Sequence, residues 1–482
     1  MVMQTMQIRL TKGLIEEISK LVARGIYPST SEAVRDAVRR LITGTSEMKV
    51  PEKEVKEVQE KVAKEVEEQI TKQFKKPTGT VDFFPEDMAI RNKVFNSLRN
   101  SSERFGFKEI EVPAFEDMRL LRKKAGDEVN TQIFVLEKRA QESFGLRFEL
   151  TASFARMFVE KQKAMPKPVK WFGLSRMWRY ERPQAGRLRE FYQLSVEVFG
   201  SDKPEADAEV INLAINCFTD LGLNENDFFV KVNNRKLLQG LLLNVTNKDK
   251  LDGVLRIIDK SKKISREEFD KELKDIGVNP DKVNEIMNCE TLANSERLIK
   301  NDLAKEGYNE LKLVLDKFDD RFVKFDISVA RGLAYYTGTV FEVFDKDEKL
   351  RALAGGGRYD KLIENYGGQP CPATGFAIGY ATLSLLLEQK NLVPTIDIAP
   401  DYYVVVIGDA ADKANEIVGK LRKNYKVEID IMRRNVGNQL KYANSIGAKK
   451  VMFIGPDELA KGIVKVKDMS SGKQEEVKIE EL

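Results

Sequence analysis

The stretch MWRYERPQAGRLREFYQLSVEVFG, residues 177–200, decides how this chain folds. It reads as a strand carrying Trp178 and Tyr180, a turn at Pro183–Gly186, and a return strand from about Arg189 to Phe199. Gln193, Ser195 and Glu197 stand two apart, and alternate residues of a strand share a face, so these three point the same way. Arg179, Glu181, Arg182, Arg187 and Arg189 crowd the hairpin. Guanidinium forks match polyphosphate oxygens two at a time, and a carboxylate on the adjoining face suits a cationic or N–H-bearing ligand. Alone, the same pattern also describes a salt-bridged hairpin in a charged protein.

Composition narrows the chemistry. With 482 residues, 42% hydrophobic and 32% charged, the chain has core enough for two to four globular domains. Its 80 basic and 76 acidic residues leave a formal charge of +4, which argues against a general polyanion coat but allows local basic surfaces. No run approaches the roughly 18 apolar residues of a membrane span and no signal-peptide core opens the chain, so a cytoplasmic protein is expected. Cys217, Cys289 and Cys371 are far apart and show neither metal spacing nor a disulfide framework. Histidine is absent altogether, which excludes imidazole bases, Ser-His triads and His-ligated zinc or haem. Carboxylates, arginines, lysines, tyrosines, backbone dipoles or a carboxylate-held Mg2+ remain, a set suited to phosphoryl or nucleotidyl transfer.

A second informative stretch is VARGLAYYTGTVFEVF, residues 329–344. Gly332 and Gly338 bracket a loop that gathers Arg331, Tyr335 and Tyr336 around Ala334, and an alternating strand runs from Thr339 to Phe344. Gly355, Gly356 and Gly357 precede Arg358, where backbone can approach a ligand closely. There is no GxxxxGK[ST] loop and no GxGxxG opening a helix. Residues 235–320 are dense in helical patterns and read as an inserted module. Beyond Pro400 the rhythm is strand-helix-strand, so 398–482 form a separate small α/β domain after a larger one over 77–397.

Residues 1–44 are a third part. Met6, Ile8 and Leu10 alternate with Thr5, Gln7 and Arg9, and two amphipathic helical patterns follow, the second opened by Ser29 and Glu32 at capping-box spacing. One strand and two helices cannot bury a core alone, but a dimer pairing the strands could. This resembles the ribbon-helix-helix family of DNA-binding dimers, in which the outward strand residues, here Thr5, Gln7 and Arg9, enter the major groove. A plain dimerisation arm that touches no nucleic acid is the other reading. Residues 45–76 read as a Lys/Glu-rich helical linker with one narrow valine stripe.

The hairpin at 177–200 resembles motif two of the class II aminoacyl-tRNA synthetases, specifically the histidyl family. GTVDFFPEDMAIRNKV and FGFKEIEVPAFED resemble motif one, LRFELTASFARMF the amino-acid loop, RGLAYYTGTVFE and AGGGRYDKL the two histidine signatures, and ATGFAIGYATLSLLL motif three. QLKYANSIGA and GPDELAKG resemble the family's anticodon-binding domain, and the whole runs in family order from about Gly79 to Leu482. The resemblance implies an α+β fold with a six-to-seven-stranded antiparallel sheet, a homodimer, and ATP, Mg2+, L-histidine and tRNA(His) as ligands. It implies that Arg331 meets the histidine carboxylate, Glu149, Thr151 and Gln193 its ammonium, and Glu197 with Tyr336, beside Tyr335, the imidazole. It places Arg179 on the α-phosphate, Glu181 and Arg187 on the rest of ATP, Phe191 on adenine, and Gly355, Gly356 and Gly357 beneath the ligand. Arg182, Gln184 and Arg189 are candidates for the acceptor end, and Arg433, Arg434, Asn435 and Gln439 for the anticodon.

Two motifs depart from the family pattern. Ala334 stands where the signature commonly has aspartate, and Ala381 and Thr382 where motif three commonly has glutamate and arginine. The expectation is an active histidine–tRNA ligase in which Arg187 and Mg2+ hold the distal phosphates. The alternative is a catalytically dead paralogue acting as a regulatory subunit or histidine sensor. The retained C-terminal domain and the intact Arg179 and Arg331 favour the enzyme.

Overall fold

The computed structural model describes residues 10–43, 75–124, 131–137, 142–261, 264–329 and 335–482. Thr5, Gln7, Arg9, nearly all of the 45–76 linker, Arg331 and Ala334 lie outside them. The chain divides into two compact units, residues 1–82 and 83–482.

In the first unit, helix Lys12–Ala23 buries Leu14, Ile18 and Leu21, and helix Thr30–Thr43 buries Ala33 and Ala37 against them. Gly25, at φ 71°, ends the first helix in a left-handed turn. Ser29 Oγ accepts the Glu32 N–H at 3.2 Å, as the sequence predicts for a helix cap. Tyr27 is fully buried, and its hydroxyl donates to Asp36 at 2.9 Å, so the polar end of the ring enters the core paired.

The second unit is built on an eight-stranded sheet, two strands of a small hairpin and a five-stranded sheet. In chain order the strands are β1 Lys108–Glu109, β2 Phe115–Asp117, β3 Phe144–Leu146, β4 Val169–Trp178, β5 Glu190–Phe199, β6 Phe228–Asn234, β7 Val323–Phe325, β8 Thr339–Asp345, β9 Ala354–Arg358 and β10 Ala373–Gly379. After Pro400 come β11 Tyr402–Val406, β12 Val427–Ile429, β13 Lys450–Ile454, β14 Ile463–Asp468 and β15 Gln474–Lys478. The large sheet runs β1-β4-β5-β10-β9-β8-β6-β7. Its six inner strands are antiparallel, but β1 pairs with β4, and β7 with β6, in parallel. The expected six-to-seven-stranded antiparallel sheet is thus corrected to eight strands with parallel edges; β1 and β7 are too short to carry a readable alternation.

Strand alternation divides this sheet into a dry back and a polar front. Leu194, Val196 and Val198 of β5 face back onto helix Pro204–Thr219, whose Val210, Ile211, Leu213, Ala214 and Phe218 are wholly buried. Each such side chain stabilises the fold by about 1.5–3 kcal/mol through burial alone. The helices between Arg235 and Leu315 add Val254, Leu255, Phe269, Val283 and Leu311 to the same continuous core. The expected inserted module therefore shares the sheet's core rather than holding one of its own.

The five-stranded sheet runs β12-β11-β13-β14-β15, parallel over its first three strands and antiparallel beyond. Val404 of β11 packs towards helix Ala411–Leu421, while Tyr403 and Val405 join the cluster of helix Val436–Ser445. Both faces are covered, which explains the unbroken apolar run of this strand. No helix among the described residues is long and apolar enough to cross a membrane. The three cysteines are free and buried.

Candidate active site

Register across the front of the large sheet brings the signature residues together. Trp171, Glu197, Gly375, Gly357, Val340 and Asn233 stand opposite one another in a row across six strands. The next row is Gly173, Ser195, Ala377, Gly355, Glu342 and Lys231. Gln193 and Gly379 begin a third. The middle of this face therefore carries glycine and alanine only, a side-chain-free trough with Glu197 and Gln193 on one flank and Glu342 on the other.

The glycines do different work. A Cβ on Gly357 would lie 2.4 Å from Thr339 O and 2.9 Å from both Cδ1 and Cε1 of Tyr336, so the missing side chain is the seat of that ring. A Cβ on Gly356 would strike Gly375 O at 2.2 Å. At Gly355 nothing lies closer than Phe341 O at 3.6 Å. The sequence reading gave all three glycines to ligand approach; a Cβ on Gly356 or Gly357 would meet the protein itself, whereas one on Gly355 would make only ordinary contacts. Gly375, not singled out from the sequence, would place a Cβ 2.3 Å from Glu197 Oε2 and 2.6 Å from the hydroxyl of Tyr359. Glu197 and Tyr359 thus crowd one point in the trough.

Tyr359 completes an aromatic group with Tyr335 and Tyr336, with centroids 4.3 Å apart for the adjacent pair and 6.0 Å from Tyr336 to Tyr359. Burial, then the fields of Tyr335, Glu197 and Glu149, hold the Tyr336 phenol well above its usual range, so at neutral pH it is an O–H donor. Glu197 is 2% exposed. Gln193 is also buried and donates to Ser195 Oγ at 2.9 Å. Glu149 is half-buried, just before helix Thr151–Lys161, and acts electrostatically on Tyr336 and Tyr366. Carboxylates and phenols thus gather around Glu197 on the front of the sheet.

The hairpin supplies the cations. Arg179 Nε donates to Phe148 O at 3.0 Å, and its guanidinium lies 5.2 Å from the Phe191 centroid. Arg187 pairs with Glu181 at 2.6 Å across the turn. Gly186, at φ 70°, makes that turn possible, and a Cβ there would be 3.5 Å from Thr382 Cγ2. The departing position Thr382 is buried directly behind the turn that carries Arg187. Arg182 and Gln184 are exposed, and Arg189 packs 4.2 Å over the Tyr180 ring while its Nε holds Glu181 O.

Among the C-terminal candidates the structure makes a clear division. Gln439 is 2% exposed, and its amide is spent on Val406 N, Val406 O and Arg434 O. Arg434 pairs with Asp430 at 2.9 Å and covers the Tyr442 ring at 4.4 Å, and Asn435 caps helix Val436–Ser445. Gln439 and Arg434 thus hold the loop through internal partners, while Asn435 is exposed and caps the helix that follows. Arg433 is exposed beside Ile431 and Met432, at φ 54°.

A mostly antiparallel sheet with a helical layer behind and a separate α/β domain at the C-terminus is the architecture of a class II aminoacyl-tRNA synthetase. Comparison with solved structures agrees: histidyl-tRNA synthetase from Nostoc sp. PCC 7120 superposes with a TM-score of 0.69 at 26% identity, covering 84% of this chain and 97% of that one. A family model described as Histidyl-tRNA synthetase matches residues 79–383, and one described as Anticodon binding domain matches 401–482. Histidine–tRNA ligase of Pyrococcus furiosus is 41% identical over 419 residues, 84% of this chain and 96% of its own. That of Natronomonas pharaonis is 39% identical over 408 residues, 83% and 94% respectively. The chain belongs to the histidyl-tRNA synthetase family.

Proposed function

We propose that this protein is a histidine–tRNA ligase, activating histidine with ATP and passing it to the 3′ end of tRNA(His). The observation that carries the reading is the Glu197 pocket. An imidazole offers one N–H and one lone pair; Glu197 accepts the first, and the protonated Tyr336 donates to the second. A buried pocket of such groups rejects amino acids that leave them unpaired. Glu149, Thr151 and Gln193 receive the ammonium, and Arg331 neutralises the carboxylate.

A carboxylate oxygen then attacks the α-phosphorus, the bond to the bridging oxygen breaks, and pyrophosphate leaves. Arg179, steadied by Phe148 O, stabilises the charge that gathers on the α-phosphate. Adenine stacks against Phe191, and Gly355 lets the ligand lie close to the sheet. With threonine at 382, Arg187 is the cation at this end of the trough, released from Glu181 to the distal phosphates. Mg2+, when bound with ATP, would draw on a carboxylate such as Glu181 or Glu342 and would supply charge neutralisation at the phosphates. In the second step a ribose hydroxyl attacks the acyl carbon and AMP departs; Arg182, Gln184 and Arg189 receive the acceptor end and Arg433 the anticodon loop.

The likeness of the segment holding Phe84 and helix Pro85–Arg104 to motif one, the family's dimer-forming element, supports a homodimer. Residues 1–44 add a second twofold contact, as a ribbon-helix-helix-like arm that either reads DNA through Thr5, Gln7 and Arg9 or only dimerises. Charging of a tRNA(His) transcript with labelled histidine tests the main reading, and a variant beginning at Lys75 tests the arm: it should keep charging activity and lose any DNA affinity.

A further inference from the structure

Tyr366 caps the short helix Leu362–Asn365 and packs its ring into the apolar cluster that also holds Tyr335, Tyr336 and Tyr359. Its hydroxyl is shut off from water and has no hydrogen-bond partner among the described residues. A phenylalanine would pack as well without leaving a buried donor unpaired, so the hydroxyl is costly in the free protein. The charge it faces is Glu149, which together with burial pushes the phenol far above its usual range, so it carries its proton at any working pH. Lys123 Nζ lies 5.9 Å from the centroid of the ring. A carboxylate has about four lone-pair positions and accepts an ammonium and a phenol together.

We propose that Tyr366 is a further residue of the amino-acid site: when histidine binds, its O–H donates to Glu149 and fixes that carboxylate where it receives the substrate's ammonium. Tyr366 is a positioning residue, and its role rests on the reading of the pocket as a histidine site.

The test is Tyr366→Phe in the full chain, read by ATP–pyrophosphate exchange at varied histidine and by two inhibitors. L-histidinol keeps the ammonium and lacks the carboxylate; imidazolepropionate lacks the ammonium. The expected result is a rise of about tenfold in KM for histidine with kcat within twofold, and about tenfold weaker inhibition by histidinol. Inhibition by imidazolepropionate should be unchanged, and the melting temperature should stay level or rise. An unchanged KM, equal weakening of both inhibitors, or loss of exchange with a lowered melting temperature overturns the proposal. Wild-type protein with no histidine-dependent exchange refutes the enzyme reading itself, whereas active wild type matched by Tyr366→Phe refutes only the role of Tyr366.

Discussion

The ring of Tyr336 occupies the space where Gly357 has no side chain: a Cβ there would sit 2.9 Å from two of its ring carbons. Strand β9 therefore sets the position of a residue from the loop before β8. Gly357→Ala should push the Tyr336 ring out of line with Glu197. Displacement of about 1 Å costs on the order of 10²-fold in rate, so kcat/KM for histidine should fall by about that factor. Exchange kinetics measure it, and an unchanged kcat/KM would show that Tyr336 does not touch the substrate.

Alkaline titration gives a separate check on the same ring. The folded protein holds Tyr336 protonated well past the pH of about 10 at which an unfolded phenol ionises. The unfolded state thus releases its proton first, so stability from this group is full below about pH 10 and is lost as pH rises beyond it. Wild type should lose melting temperature above pH 10 more steeply than Tyr336→Phe; parallel curves would place the phenol in contact with water.

Arg358 and Asp207 form a pair in which each side chain is 3% exposed, and Arg358 also donates to Ser201 O and Lys203 O. Burial raises the Asp207 pKa despite the guanidinium, so the carboxylate depends on its partner. Arg358→Ala should cost about 3–5 kcal/mol by urea unfolding, because it strands a buried charge. Arg358→Met with Asp207→Leu should recover much of that loss; a double variant as unstable as the single would mean that the backbone contacts dominate.

In the C-terminal domain, stability and RNA binding should separate. Gln439→Ala leaves the Val406 amide and carbonyl without their partner and should destabilise by about 1–3 kcal/mol. Arg433→Ala should leave unfolding nearly unchanged, raise KM for tRNA several-fold, and lower the salt dependence of binding by about one ion. A tRNA effect from Gln439→Ala alone would reverse this assignment.

Much of this was legible in the sequence because local pattern and tertiary role coincide. The hairpin at 177–200, the strand after Gly338 and the C-terminal rhythm announce themselves by alternation and turn residues, and Glu197 follows from a two-residue spacing. Gly375 did not, because its meaning lies in register between strands far apart in the chain, nor did Tyr359 and Tyr366, whose surroundings come from tertiary packing. Gly375 carried one usable sign, a glycine inside a strand, which marks a close approach without saying of what. Gln439 and Arg434 are a different case: polar residues after a strand read as surface, and only the fold shows the internal partners they hold.

The most direct test of the central claim is amino-acid-dependent ATP–pyrophosphate exchange by the full chain, run with histidine and with each other common amino acid. Exchange with histidine alone, abolished by Arg179→Ala and reduced at least 10²-fold by Glu197→Ala, is the predicted result. No histidine-dependent exchange above background would contradict it and leave the trough of Gly355, Gly375 and Glu197 as the site of a sensor rather than of a ligase.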